Sequence, residues 1–481
     1  MSARIVAGGG DPGFPRFGHA PDQPGSTTPA TTQHLARRLT LLVFLGLASI
    51  AIVLLAKPEV AALQIDPFLW LAGAQAILCL AGGALVWKGR SLRAAFWIIF
   101  GVGMLLRLGL VGETPTLSDD IYRYIWDGRV QAAGINPYRY IPADPQLAFL
   151  RDDAIYPHIN RRDYAPTIYP PGTQMFFFAV TRVTETIAGF KAALLCLEAL
   201  TFWLIARLLV SFKLPRERVI IYAWNPLVIW EFCSGHIDVL MTALVLLALL
   251  ARHHRRNTLT GVLLGCAVLV KFLPLALFPA LYRRGDWKMP LALGVTICAA
   301  YLPYLGVGAR VIGFLPAYTG EEGMGDGRFF LLLLARYITG GLEIPAAAYL
   351  VLCFAVLSLL AGLAFLRWNK ADGGYLFSAG IIGTTVLVFL SPQFPWYWMW
   401  LTPLLVFLPF RLLLPFFYLS CAALLQYGKW FDDWRWFGFG INPFLARDIL
   451  QFVPAALMLV VLGCFRKSFS ARLRARARLR R

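Results

Sequence analysis

Apolar segments recur along almost the whole of this 481-residue chain, and they constrain its fold more than any other feature. A helix of about 20 apolar residues crosses a lipid bilayer. Because lipid offers no hydrogen-bond partners, only helices and closed barrels can span it. Fourteen segments are apolar enough to cross or deeply enter a bilayer, at 39–56, 67–87, 94–112, 190–212, 218–233, 237–251, 258–270, 273–283, 289–306, 345–366, 374–390, 395–411, 412–427 and 445–464. We therefore predict an all-α, polytopic transmembrane bundle of about 12–14 spans.

Charge is scarce and unevenly placed, which excludes a soluble enzyme. Only 15% of the residues are charged and the mean hydropathy is +0.64, whereas soluble domains carry about 25% charged residues. The net charge of +19 comes from basic clusters between apolar segments, the pattern of cytoplasmic loops rather than of a nucleic-acid-binding surface. The inner clusters are Arg37/Arg38, Lys88/Arg90/Arg93, Lys213/Arg216/Arg218, Arg252/Arg255/Arg256, Arg283/Arg284/Lys288, Arg367/Lys370, Arg411 and the tail from Arg466. A break at Pro274 keeps Arg283 and Arg284 on the inner side, and both termini are then cytoplasmic.

The chain divides into a membrane domain and two tails. Residues 1–37 are rich in Gly, Pro, Thr and Asp and lack apolar periodicity, so we predict a disordered cytoplasmic tail. Residues 38–465 form the transmembrane domain. Residues 466–481 form a basic cytoplasmic tail, which is expected to contact membrane lipids rather than nucleic acid.

One predicted outer loop, 113–189, is unusually long and acidic. It contains nine of the 26 acidic residues and seven tyrosines between Tyr122 and Tyr169. Loops of this length are usually functional. Within it, Ser118–Ala133 reads as a surface helix with Ser118 as N-cap, and a second helix is expected after Tyr169-Pro170-Pro171. Further outer loops are expected at about 307–344, with Glu321, Glu322 and Asp326, and at about 428–444, which is rich in Trp.

The sequence lacks the motifs of several common chemistries. There is no phosphate-binding Lys loop and no GxGxxG after a strand, and the cysteines show no metal-ligand spacing. The acids face the side of the membrane where nucleotide-activated substrates are absent. A lipid-linked phosphate ester is therefore the natural form of an activated substrate. No cofactor is predicted; Asp119 and Asp120 could hold a divalent metal, but nothing in the spacing indicates one.

Five stretches resemble glycosyltransferase-C superfamily membrane enzymes, and most closely bacterial mannosyltransferases that use polyprenyl-phosphate-mannose. The chain departs from this family in having three predicted helices before the acidic loop, where the family usually has one. The stretches are Ser118-Asp119-Asp120-Ile121-Tyr122-Arg123-Tyr124-Ile125-Trp126-Asp127-Gly128-Arg129-Val130 with Gly134-Ile135-Asn136-Pro137-Tyr138; Tyr169-Pro170-Pro171-Gly172; Trp224-Asn225-Pro226-Leu227 with Gly235-His236-Ile237-Asp238; Lys271-Phe272-Leu273-Pro274; and Ser391-Pro392-Gln393-Phe394-Pro395-Trp396-Tyr397.

The resemblance implies an integral enzyme of the bacterial plasma membrane with a non-cytoplasmic active site. Such enzymes move a hexose, here expected to be mannose, from a polyprenyl-phosphate donor to a hydroxyl of a glycan or glycolipid acceptor, with inversion. A loop carboxylate serves as general base, and this position is held by Asp119 or Asp120. Two adjacent carboxylates raise the pKa of one of them, which suits a base.

A purely structural interpretation of the two aspartates is also open. Acidic side chains in the first turn of a helix stabilise it by about 0.3–1 kcal/mol through the helix dipole. Arg123 is also spaced for i,i+4 ion pairs with Asp119 and with Asp127.

Cations near the outer membrane surface are the candidates for binding the departing phosphate. Arg107 lies in the outer third of the helix before the acidic loop, and Lys271 lies at the turn of the short helix pair. A charge in a membrane segment is costly and therefore a functional candidate, although either side chain could instead extend to the headgroups. Glu198 and Arg207 share one predicted span and are assigned no role.

The remaining candidates are substrate-binding residues around the loop. Tyr122, Arg123, Tyr124, Trp126 and Asp127 lie on the loop helix, and the aromatic members could stack on sugar or form an interfacial belt. Two more residues, His236 and Asp238, lie at the outer end of successive helices, where His236 could assist proton transfer or bind a hydroxyl. Aromatic residues 396–400 are expected to belong to the belt.

Two other classes of function remain as alternatives. A transporter or flippase for lipid-linked glycans would fit Glu198, Arg207 and the 271–274 break, but the sequence has no internal repeat and its acids concentrate outside. A membrane scaffold would not need a dense acidic and tyrosine-rich loop. Within the enzyme class, another sugar or a whole glycan could be the transferred group.

Overall fold

A computed structural model describes residues 29–87, 92–366, 373–428 and 443–478. Within these ranges the regular secondary structure consists of helices, joined by turns and loops, and there are no strands. The α-helices, in chain order, are α1 (Pro29–Ala61), α2 (Ile65–Val86), α3 (Arg93–Leu108), α4 (Asp120–Ala132), α5 (Pro171–Thr181), α6 (Ile187–Ser211), α7 (Ile220–Ala223), α8 (Pro226–Ser234), α9 (Asp238–His253), α10 (Asn257–Val268), α11 (Phe278–Leu281), α12 (Lys288–Tyr301), α13 (Leu315–Glu321), α14 (Phe330–Ile338), α15 (Ala346–Leu366), α16 (Gly374–Leu390), α17 (Phe410–Ala422) and α18 (Pro443–Arg478).

Seven helical stretches among the described residues are long and apolar enough to cross a membrane, so the predicted polytopic helical bundle is confirmed. They are Leu35–Ala61, Ile65–Val86, Ile187–Ser211, Lys288–Glu321, Ala346–Leu366, Phe410–Tyr427 and Pro443–Gly463. Other predicted segments correspond to shorter helices, such as α10 and α16. The number of spans therefore stays a prediction.

Several short elements replace predicted continuous helices where proline interrupts the backbone ladder. The segment predicted at 395–411 forms a 3₁₀ stretch, Pro395–Phe407, with Pro403 inside it. Proline removes an amide donor and disfavours the regular α-helix. The predicted break between 258–270 and 273–283 is present, because α10 ends at Val268 and a 3₁₀ turn, Leu273–Leu277, follows it.

The chain ends differ from the predicted tails. Helix α1 begins at Pro29, so the last part of the segment predicted as a disordered tail is helical, and α18 extends to Arg478 within the predicted basic tail. Part of the predicted Trp-rich loop, 429–442, lies outside the described residues, as do Lys88, Arg90, Arg367 and Lys370.

Local sequence signals explain the elements that position the site. Helix α4 spans nearly the predicted residues, with Asp119 rather than Ser118 at the N-cap, and Gly134 follows its end with a φ of 75°. Helix α5 begins at Pro171, a first-turn position where proline loses no hydrogen bond. Helices α4 and α5 pack together, and the rings of Tyr124 and Phe177 stack at 4.6 Å between their centroids.

The junction of α8 and α9 requires glycine. Gly235 ends α8 in the left-handed region (φ 77°), where non-glycine residues are strained. A Cβ at this position would lie 2.4 Å from Cδ1 of Ile121 on α4. The missing side chain therefore lets the α8–α9 junction approach the start of α4 closely.

Candidate functional site

A cavity of about 560 Å³ lies where the acidic loop meets the turn after α10 and the later helices. Its walls come from the start of α4, loop residues 160–170, the 271–273 turn, α13 with the turn that follows, and the junction of α16 with the 3₁₀ stretch at Pro395. Four of the five stretches that carry the family resemblance contribute to this wall. The fifth, which contains His236, lies directly behind it.

The two aspartates share one hydrogen-bond donor. The Nδ2 atom of Asn160 donates to Oδ1 of Asp119 at 2.8 Å and to Oδ1 of Asp120 at 2.7 Å. Asp119 is exposed, whereas Asp120 is partly buried and directs its second oxygen inward. Asn160 therefore holds both carboxylates at the cavity surface, forty residues along the chain from the acids it orients.

The environment makes Asp119 a stronger base than a free aspartate. Although its side chain reaches water, desolvation by the surrounding protein raises its pKa, and the neighbouring charge of Asp120 adds to this rise. The Asn160 hydrogen bond opposes the rise because it stabilises the charged form. The predicted effect of paired carboxylates is thus present, but desolvation is the larger cause.

A buried histidine lies behind Asp120. The Nδ1 atom of His236 is 3.9 Å from Oδ2 of Asp120, and its Nε2 atom is 3.4 Å from Oε2 of Glu231. The imidazole stacks on the indole of Trp396, with ring centroids 4.0 Å apart. His236 is therefore held between two carboxylates, one at the cavity and one in the interior.

Lys271 brings a positive charge to the cavity wall. Its Nζ donates to Oδ2 of the fully buried Asp238 at 2.5 Å. The ammonium also lies 4.8 Å from the ring centroid of Tyr397, which lines the cavity. Asp238 thus fixes the cation rather than contributing directly to the cavity surface.

Arginines complete the polar part of the cavity. Arg161 donates from Nε to Oε2 of Glu321 on α13 at 2.6 Å, and the Tyr164 hydroxyl donates to the other oxygen of Glu321 at 3.0 Å. Arg328 lines the cavity from the turn after α13. Within the described ranges, no carboxylate lies within 4.0 Å of a nitrogen of Arg328. Its guanidinium lies over the Phe444 ring, 5.2 Å from the centroid, and its charge also acts on Glu322.

Most aromatic candidates of the loop helix lie away from the cavity. Tyr124 and Trp126 are buried in the core, and Tyr122 stacks on His158 at 4.8 Å. Oδ1 of Asp127 lies 2.9 Å from Nε of Arg123, so one of the two predicted i,i+4 ion pairs is present. Of these five predicted substrate-binding residues, Arg123 is the one that lines the cavity.

Arg107 also lies apart from the cavity. It is fully buried in the helix packing, where its Nε donates to Oε2 of Glu198 at 2.6 Å. Its Nη1 donates to the carbonyl oxygens of Gly103 and Ala223, and the Tyr222 hydroxyl donates to Glu198 at 2.7 Å. The structure therefore gives this arginine a packing role in place of the expected phosphate contact.

Several residues of the site were not predicted from the sequence. Trp396 and Tyr397 line the cavity, which differs from the expected membrane belt. Asn160, Glu231 and Arg328 were not singled out at all. Glu231 could have been predicted, because a charged residue in an apolar segment is a functional candidate. Asn160 and Arg328 lie in irregular loops, where no sequence pattern indicates a functional role.

The cavity combines two adjacent carboxylates, cationic side chains and an apolar wall. Such an arrangement suits removal of a hydroxyl proton together with stabilisation of a phosphate leaving group. In the part of the chain that the structure describes, no cluster of three or more His, Cys, Asp or Glu side chains could hold a metal ion. The expectation of no resident cofactor stays a prediction.

Comparison with known proteins gives one family. The sequence model described as alpha-(1->6)-mannopyranosyltransferase, N-terminal domain, matches residues 43–282. The match includes the aspartates, His236 and Lys271, and it begins within α1, the first of the three helices that precede the acidic loop. No curated protein matches the chain.

Proposed function

We propose that this chain, which belongs to the alpha-(1->6)-mannopyranosyltransferase family, transfers mannose from a polyprenyl-phosphate donor to an acceptor hydroxyl outside the cytoplasm. The chain is a membrane glycosyltransferase; the donor, the inversion and the residue roles are what we propose. The observation that carries the proposal is one cavity lined by Asp119, Asp120, Lys271 and Arg328 beside an apolar wall. The direct test is to offer the purified protein a panel of polyprenyl-phosphate sugars and measure which one is consumed.

The aspartates supply the base in a single displacement. The acceptor oxygen attacks the anomeric carbon as its proton moves to a carboxylate, and the carbon–phosphate-oxygen bond breaks on the opposite face. One such step inverts the configuration and needs one base. We assign the base to Asp120, with Asp119 as the alternative, because Asp120 adjoins the buried His236.

The cations stabilise the departing polyprenyl phosphate. Lys271 is fixed by Asp238 and faces the cavity, and Arg328 lines the same cavity without a carboxylate partner in the described ranges. Charge-assisted hydrogen bonds to phosphate are among the stronger polar contacts in proteins. Arg107, the other expected phosphate contact, is not carried into this proposal.

The lipid part of the donor is expected to lie against the apolar wall. Phe272 and Leu273, after α10, and Leu387 and Leu390, on α16, line the cavity next to its polar end. A polyprenyl chain buries apolar surface there with a gain of about 25 cal/mol per Å² removed from water. The acceptor is expected to be a glycan or glycolipid hydroxyl that approaches from the side of Asp119.

Removing a cavity cation should weaken donor use. In Lys271→Gln the amide can still donate to Asp238, so the charge is lost without leaving that carboxylate unpaired. Loss of a charged phosphate contact worth about 1.5–3 kcal/mol should raise the donor KM about 10- to 100-fold, and Arg328→Gln should do the same. The matched control is Arg207→Gln, since Arg207 lies over the Trp203 ring away from the cavity. Unchanged donor kinetics in both cavity variants would contradict the assignment.

Orientation in the membrane gives a further prediction. The proposed topology has both termini in the cytoplasm and the acidic loop outside, in a bacterial plasma membrane. In a background without native cysteines, Asp153→Cys should react with an impermeant thiol reagent applied to intact cells. Arg255→Cys, at a similarly exposed position, should react only after permeabilisation. The reverse labelling pattern would invert the topology and remove the donor proposal.

Two of the three features that would fit a transporter have other roles in this structure. Glu198 pairs with Arg107 in the packed interior, and the break at 271–274 forms part of the cavity wall. Both features are accounted for by the enzyme.

A further inference from the structure

We propose that His236 is a positioning residue for proton transfer, held by Glu231 so that its Nδ1 accepts a hydrogen bond from Asp120 once that carboxylate has taken the acceptor proton. The inference rests on the proposed function, since it gives a role to a residue behind the assumed base. It adds Asp120–His236–Glu231 as one connected unit of the site.

The position of the imidazole is fixed on every side. His236 is fully buried, and its backbone N–H donates to the carbonyl oxygen of Glu231 at 3.2 Å. Its ring lies against Trp396, with an interplanar angle of 25°. Gly235 brings this segment against Ile121, next to Asp120. The ring therefore cannot move far, and Asp120 is the partner that adjusts.

Both ring nitrogens lack a hydrogen bond to any described residue, although they are buried. Each nevertheless faces a carboxylate, at 3.9 Å for Asp120 and 3.4 Å for Glu231. Buried polar atoms without partners are costly. Contacts of this length commonly shorten only when substrate binds and the proton moves. The geometry is that of an interaction completed during the reaction.

Glu231 selects the tautomer that the reaction needs. The Tyr427 hydroxyl lies 3.0 and 3.1 Å from the two oxygens of Glu231 and donates to this side chain. Burial opposes the charged form of Glu231, whereas the Tyr427 hydrogen bond and the Lys271 ammonium favour it, and the proposed role of His236 requires Glu231 to be the ionised acceptor. A carboxylate at Nε2 favours the N–H at that nitrogen, so the lone pair is on Nδ1. That lone pair faces Asp120 and can accept a hydrogen bond only from the protonated acid. The arrangement thus stabilises the product of proton transfer.

Burial keeps the imidazole neutral in this role, because desolvation disfavours its charged form, and the nearby Lys271 ammonium adds to this effect. The groups that face it are Asp120 on α4, Glu231 on α8 and the Lys271–Asp238 ion pair, with Trp396 covering one ring face. The Lys271 ammonium disfavours a second positive charge nearby, and Asp238 offsets Lys271. A neutral imidazole is the form that offers one donor and one acceptor.

The step balances without another reactant. The acceptor O–H bond breaks as its oxygen bonds the anomeric carbon, and the electron pair of the broken glycosyl bond leaves with the polyprenyl phosphate. The proton goes to Asp120 and is shared with Nδ1 of His236. It returns to water at the open side of the cavity, where Asp119 is exposed.

The test compares the pH profiles of three variants, two at His236 and one at Glu231, with polyprenyl-phosphate-mannose as the probe. His236→Phe keeps a ring on Trp396 but removes both nitrogens, and we expect kcat to fall about a hundredfold. Without the Nδ1 acceptor the protonated acid is less stable, so the acidic limb of kcat/KM should move to lower pH by about one unit. The donor KM should change little.

Two further variants locate the effect. The amide of His236→Asn can place an oxygen near the Nδ1 position, so it should recover at least tenfold of the lost kcat. Glu231→Gln should shift the acidic limb in the same direction as His236→Phe. His158→Phe is the matched control, because His158 stacks on Tyr122 outside the cavity and should leave the profile unchanged.

The outcomes separate this inference from the proposed function. A wild-type protein that does not consume polyprenyl-phosphate-mannose would remove the proposed donor. Wild-type turnover together with an unshifted acidic limb in His236→Phe and Glu231→Gln would overturn the positioning role alone. If His236→Phe does not accumulate in membranes, the pH profile of Glu231→Gln decides. A shifted acidic limb in that variant supports the positioning role, and an unshifted acidic limb overturns it.

Discussion

Replacing both Asp119 and Asp120 by Asn is expected to abolish mannosyl transfer while the protein still inserts into the membrane. A general base contributes about 10²- to 10⁴-fold to rate, and the double variant leaves no carboxylate at this edge of the cavity. Because Asn has the same shape and can still accept from Asn160, the loop should keep its geometry. The measurement is the transfer of labelled mannose from polyprenyl-phosphate-mannose by equal amounts of membrane-inserted protein.

The single variants identify the base. We expect Asp120→Asn to lose most of the rate, because Asp120 is the carboxylate that adjoins His236. Since a base must be deprotonated, activity falls as pH drops through its pKa. The raised pKa of Asp119 would set that fall above the ordinary aspartate range if Asp119 were the base. Asp153→Asn, an exposed acid of the same loop, is the control. Wild-type turnover by the double variant would eliminate both aspartates as the base.

Arg107→Met is expected to lower stability strongly without weakening donor binding. The substitution leaves Glu198 buried and without its cation, and breaking a buried ion pair in this way costs about 3–5 kcal/mol. The free energy of unfolding, measured in detergent by denaturant titration, should fall by that amount. The donor KM of the remaining folded protein should stay at its wild-type value.

A double-mutant cycle provides the control for this prediction. Arg107→Met combined with Glu198→Gln removes both charges, and the double variant should be more stable than the sum of the single effects implies. A stable Arg107→Met protein with a raised donor KM would contradict the packing role. That result would instead support the contact between Arg107 and the donor phosphate that was expected from the sequence.

Local signals were sufficient to predict the elements around the acids. The start and end of α4 follow from Asp120 in the first turn and Gly134 after the last, and α5 starts at a proline. The break after α10 was predicted from charge, because it keeps Arg283 and Arg284 with the other basic clusters. These features depend on neighbours in the chain, which a sequence displays directly.

Features that depend on the approach of distant helices could not be predicted. The position of Arg107 in the last turn of α3 fits both a cavity contact and an interior pair, and the packing of α3 against α6 decides between them. Trp396 looked like a belt residue because its contact with His236 arises only when the two segments meet. Asn160 gave no signal, since its partners lie forty residues away on another element.

The cavity is shared between the two halves of the chain. Residues 43–282 supply Asp119, Asp120 and Lys271, whereas α13, Arg328 and the α16 junction lie beyond the matched domain. The two halves are in close contact at Gly313 (φ 63°), where a Cβ would lie 2.0 Å from the carbonyl oxygen of Thr167. The backbone N–H of the next residue, Phe314, donates to the same oxygen at 3.0 Å. A chimaera that exchanged the second half between relatives would keep Asp119, Asp120 and Lys271 but replace Arg328 and the part of the apolar wall on α16. Preference for the lipid carrier could thus diverge by recombination while the two acids stay the same.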